Sequence, residues 1–170
     1  AAASAQDPLW NHTLSATALY GTYSSTTMNS SPAEIGGAVA GSAAVSNLCM
    51  SCHDGTVGVG NMWNRQNGPA GAELVPSTNG TMMTGNSRIG TSLVDDHPVN
   101  MAYNAALATA DGELISPNSA TCVDAACNIP LFAGSTVQCA SCHDPHDNTL
   151  QPFLLVTQVD SALCTSCHIK

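Results

Sequence analysis

Three times in 170 residues the chain carries the spacing Cys-x-x-Cys-His: CMSCH at 49–53, CASCH at 139–143 and CTSCH at 164–168. This repeat constrains the chain more than any periodicity in it, because it fixes a covalent chemistry before any secondary structure. Two thiols two residues apart can add to the two vinyl groups of one porphyrin, and the histidine that follows then reaches the iron as proximal ligand. Redox dithiols require no histidine at a fixed offset. Zinc sites would need two such pairs or distant histidines per metal, which leaves the repeated offset unexplained. The motifs therefore predict three c-type haems, held by Cys49 and Cys52, by Cys139 and Cys142, and by Cys164 and Cys167, with His53, His143 and His168 on the irons.

A fourth cysteine pair, Cys122 and Cys127 in CVDAACN, has four intervening residues and Asn128 where a haem site would place histidine. Its first reading is a short disulfide in an oxidising compartment, ahead of a degenerate haem site or free thiols. Of the six histidines, His12, His97 and His146 remain, three for three irons. They are read as distal ligands, which makes every iron bis-histidine. His146 lies too close to Cys142 and His143 to pass round the porphyrin of its own motif, so it is expected on a different haem packed nearby. His143 and Cys164 are 21 positions apart, so the second and third haems are expected to be neighbours. Met82 and Met83 are alternative distal ligands, which would raise a potential.

Aromatic residues make up 4% of the chain, so little large apolar surface exists to bury and the cofactors must fill the interior. The expected fold is mostly irregular and loop-rich, with a few short α-helices around the haem motifs, organised around a haem chain rather than an apolar core. A single domain, 1–170, is expected: an N-terminal arm at 1–32 carrying His12, haem I and long loops at 33–135, and haems II and III at 136–170. AAVSNLCMSCHDG (43–55) reads as a helix ending at Gly55, and 55–94 as loop. His97 precedes a proline and is expected on extended or turning chain. MAYNAALATA (101–110) reads as a helix, PFLLV (152–156) as a brief strand, and Asp160 or Ser161 as the cap of a helix carrying Cys164 to His168.

The net charge is −9, and Arg65, Arg88 and Lys170 are the whole basic inventory. That excludes nucleic acid as a partner, since phosphates would meet no cationic surface. It also excludes a polybasic membrane anchor, and no apolar run reaches the length of a membrane span. The opening AAASAQDP reads as a mature N-terminus left by cleavage at small residues, which implies export.

With PLWNH at 8–12, LCMSCHDGTV at 48–57, DDHPV at 95–99, CASCHDPH at 139–146 and ALCTSCH at 162–168, the chain resembles the paired-CxxCH multihaem cytochromes exported by metal-reducing bacteria and related organisms. In many similar sequences a further haem motif precedes the PLWNH segment, so this chain is expected to be a three-haem version of that pattern. The resemblance implies bis-histidine haems in a chain of contacts. Some similar proteins polymerise into extracellular filaments in which one haem of each subunit takes its distal histidine from the next, and His12 is the candidate for that exchange. The expected function is electron transfer without catalysis, in an extracellular or cell-surface filament of identical subunits passing electrons to redox proteins or extracellular acceptors. A soluble periplasmic shuttle is the alternative. A multihaem reductase would need an open haem beside cationic and acid/base groups, and three basic residues serve that poorly.

Overall fold

Ala, Ser, Thr, Gly and Asn favour caps and turns over long periodic stretches, and among the described residues no regular element exceeds ten residues. The computed structural model describes residues 15, 17, 19–32, 44–58, 82–132 and 134–169. The chain divides into two compact units, residues 1–22 with 34–96 and residues 23–33 with 97–170. It is loop-rich, with three short α-helices and two two-stranded sheets among the described residues. No described helix is long and apolar enough to cross a membrane.

In the first unit, strand β1 (Gly21–Thr22) runs parallel to β2 (Ser92–Leu93). Helix α1 (Ala44–His53) carries the first haem motif, and Gly55, at φ 73°, turns the chain away from it. The described parts of 55–94 are loop, interrupted by a 3-10 turn at Gly85–Ser87 and by β2.

In the second unit, β3 (Met101–Ala102) pairs antiparallel with β4 (Thr136–Val137). Only the second half of MAYNAALATA is helical. Asn104 accepts a hydrogen bond from the Leu107 N–H at 2.9 Å and so starts α2 at Ala105–Asp111, the behaviour of a good N-cap. Gly112, at φ 77°, ends it. PFLLV does not form a strand: Phe153 is left-handed at φ 58°, and the Leu154 N–H bonds the Leu150 carbonyl at 2.7 Å in a turn. The last helix, α3 (Ala162–Thr165), is not capped by an Asp160 or Ser161 side chain. Both residues are left-handed, at φ 52° and 61°, and deliver the chain into the helix through a tight 3-10 turn at Val159–Ser161.

Met101, Tyr103, Val123, Ile129, Leu131 and Val137 form a small apolar cluster in this unit, with Leu107, Leu114, Leu163 and Cys167 packed against it. Tyr103 is 1% exposed, and its hydroxyl reaches the carbonyls of Ile115 (2.7 Å) and Cys167 (3.1 Å), which ties the cluster to the third haem motif. Beside it, Cys122 and Cys127 are joined by a disulfide with a Cα–Cα distance of 4.9 Å. Inside that loop the Asp124 carboxylate accepts from the backbone N–H groups of Ala126 (2.9 Å), Asn128 (3.2 Å) and Ile129 (3.1 Å). Burial raises the Asp124 pKa, but these bonds together outweigh it and hold the carboxyl below its ordinary value. A depressed folded value contributes stability above the unfolded pKa of about 3.9, and that stability disappears as pH falls through the folded value. Asp124→Asn is therefore expected to be less stable than the parent at pH 7 and to lose less on acidification, measured as denaturation midpoints across pH 2–6.

Candidate haem-binding sites

Each Cys-x-x-Cys-His segment lies on one turn of helical chain, and each proximal histidine is then held by a segment remote in sequence. In the second motif the His143 N–H bonds the Cys139 carbonyl (3.1 Å), and in the third the His168 N–H bonds the Cys164 carbonyl (2.9 Å). Such a turn puts both thiols and the imidazole together, as attachment to one porphyrin requires. Just beyond it, His143 forms a β-bridge with Leu154, and His168 one with Leu114. In the first motif the His53 carbonyl accepts from Ile89 (2.8 Å) and Gly90 (3.3 Å).

Three imidazoles, of His53, His143 and His97, are held through Nδ1. Nδ1 of His53 meets the Ser87 carbonyl at 2.7 Å, Nδ1 of His143 meets the Pro152 carbonyl at 3.0 Å, and Nδ1 of His97 meets its neighbour's carbonyl, Pro98, at 3.0 Å. A carbonyl only accepts, so Nδ1 carries the proton and Nε2 keeps its lone pair for a metal. A ring N–H donated to a backbone carbonyl is the usual outer support of a ligating histidine.

In the second unit two motifs meet on one cavity of about 620 Å³, within the size range of cofactor sites. Cys142 and His143 of the second motif line it, as do Cys164, Cys167 and His168 of the third, and His97. Met101, Tyr103, Ile129 and Val137 belong to its wall as well as to the apolar cluster, so the core continues into the cofactor site. Burial pushes the Cys142 thiol up to about 11, and nearby Cys167, Cys139 and Cys164 act in the same direction. The thiols of the second and third motifs thus lie near one another.

The first site has a buried polar brace. Asp54 follows His53 and is fully buried. It accepts from the hydroxyls of Ser15, Tyr20 (2.7 Å) and Thr17 (3.1 Å), and from the N–H and hydroxyl of Thr56 (both 2.8 Å). Burial raises its pKa, but the bonds from Ser15, Tyr20 and Thr56 prevail and hold it below the usual carboxylate value. The Arg88 side chain lies over Gly55, where a Cβ would collide with it.

A second brace precedes the second motif. Gln138 caps the Cys139–Ser141 turn, while its Nε2 donates to Asn100 Oδ1 and Thr136 Oγ1, both at 2.9 Å. Neither Asp54 nor Gln138 stands out from the sequence as a site residue. The only local signal is position, directly after one motif and directly before another.

Of the distal candidates, His97 is brought to His168, with ring centroids 6.5 Å apart and planes at 79°. His146 is exposed on the turn after the second motif, its N–H bonded to Asp144 at 2.9 Å. His12 lies outside the described residues. Met82 and Met83 are half-buried in the first unit. The thiol pairs, oriented imidazoles and apolar cavity fit covalent haem, which would be held by the cysteine pairs and by Nε2 of the histidines.

A family model described as "Doubled CXXCH motif" matches residues 132–170, the segment holding the second and third motifs. The chain is thereby similar to paired-CxxCH c-type cytochromes, and the match points to covalent haem c and electron transfer. No curated protein matches the chain.

Proposed function

We propose that this protein carries three covalent c-type haems, each iron held by two histidines, and relays electrons without performing bond chemistry, as a subunit of an extracellular filament. Haem supplies a one-electron iron couple when bound. The protein's part is to fix each iron by a histidine whose backbone is held, with the rings of His53 and His143 also held through Nδ1, and to wall the site with apolar side chains, which limit water and tune the potential. The observation that carries this reading is the convergence of Cys142, His143, Cys164, Cys167 and His168 on one apolar cavity. Two haems bound there would stand side by side, which suits a relay.

An iron holding two imidazoles has no position for substrate. The purified holoprotein is therefore expected to show only low-spin haem and, when reduced, not to bind carbon monoxide. A high-spin fraction that takes up carbon monoxide would favour a reductase. Electron microscopy of the protein as secreted is expected to show filaments with a continuous line of haems. Dispersed monomers would overturn the filament and leave a diffusible periplasmic carrier.

A further inference from the structure

We propose that His97 is the sixth ligand of the iron bound by His168, so that both imidazoles of the third haem come from the second unit. This deepens the reading above and rests on its premise of bis-histidine haems. Two imidazoles binding one metal from opposite sides, with metal–nitrogen bonds of about 2 Å and ring centres a little over 1 Å beyond each nitrogen, have centroids on the order of 6 Å apart. His97 and His168 stand at 6.5 Å.

Two further observations agree. Both rings line the cavity that Cys164 and Cys167 also line. The Pro98 carbonyl holds Nδ1 of His97, leaving Nε2 as the donor.

The backbone makes the placement firm on both sides. Pro98 keeps His97 out of helical conformation, the Asn100 N–H bonds the Val137 carbonyl at 2.7 Å, and the Ile169 N–H bonds the Glu113 carbonyl at 2.8 Å beyond His168. With His97 assigned, and His146 too close to His143 to serve the haem of its own motif, His146 is left for the iron of His53 and His12 for that of His143. Any ligand exchanged between filament subunits must fall on one of those two irons.

The test uses the holoprotein and its His97→Ala variant. The variant is expected to keep three haems by intact mass, to turn one third of its haem high-spin and carbon-monoxide-binding, and to return to low spin on addition of imidazole, which mere misfolding would not permit. Planes near perpendicular leave the iron's lower d orbitals nearly degenerate. The parent should therefore show a low-spin electron paramagnetic resonance signal with a large maximal g value, and the variant should lose it. A variant that stays wholly low-spin, or that becomes one-third high-spin while keeping that signal at full intensity, would overturn the pairing. High-spin haem in the parent itself would instead overturn the bis-histidine reading.

Discussion

Replacing Cys49 and Cys52 together by alanine is expected to give a holoprotein with one covalent haem fewer and without helix α1. The helix Ala44–His53 has ten residues, fewer than the roughly 12–15 at which an isolated helix becomes even marginal in water. Its inward residues are mostly small: Ser46 and Ser51 are buried along with Met50. Packing of its own side chains therefore contributes little, and on the proposed reading a double thioether with an iron–His53 bond would supply most of what holds it, beside the bonds at its C-terminal end. Intact mass should fall by one haem, and helical circular dichroism should fall by more than local side-chain loss explains. The second unit should keep its two haems. Unchanged helicity in a two-haem protein would show that α1 stands without its cofactor.

The second large effect is expected at Asp54. Its carboxylate is the shared acceptor for Ser15, Thr17, Tyr20 and Thr56, which draws Ser15, Thr17 and Tyr20 onto the turn after His53. Asp54→Ala leaves the Tyr20 hydroxyl, on a side chain only 2% exposed, without this acceptor. Stranding buried donors costs about 1–3 kcal/mol per group, so the loss should be on the order of 3 kcal/mol. Denaturant midpoints and hydrogen exchange over residues 15–22 check it. Asp54→Asn keeps one acceptor oxygen and should lose less. Equal stability of Asp54→Ala and the parent would mean that the brace is dispensable.

How far the sequence could be read depends on how local each interaction is. The thioether chemistry needs its residues within five consecutive positions, so Cys139, Cys142 and His143 can be read as a unit, and α1 around the first motif follows from the same stretch. Gly55, with its positive φ, was likewise legible as a terminator. MAYNAALATA misleads in its first half because Met101 and Ala102 are taken by Val137 and Thr136, 36 and 34 positions away. PFLLV has strand composition, but a left-handed Phe153 turns it. The loop-rich architecture followed from the shortage of large side chains, whereas the cluster around Tyr103 and Ile129 is assembled from short segments without periodicity. The partners of Asp54 and Gln138, and the meeting of His97 with His168, depend on contacts 34, 38 and 71 positions apart, which no local pattern announces.

That three haems are bound covalently through the three motifs is tested by intact mass of the holoprotein under denaturing conditions. The polypeptide plus three haems is expected, in a single species. A mass equal to the bare chain, or to the chain with fewer than three haems after full maturation, would contradict it.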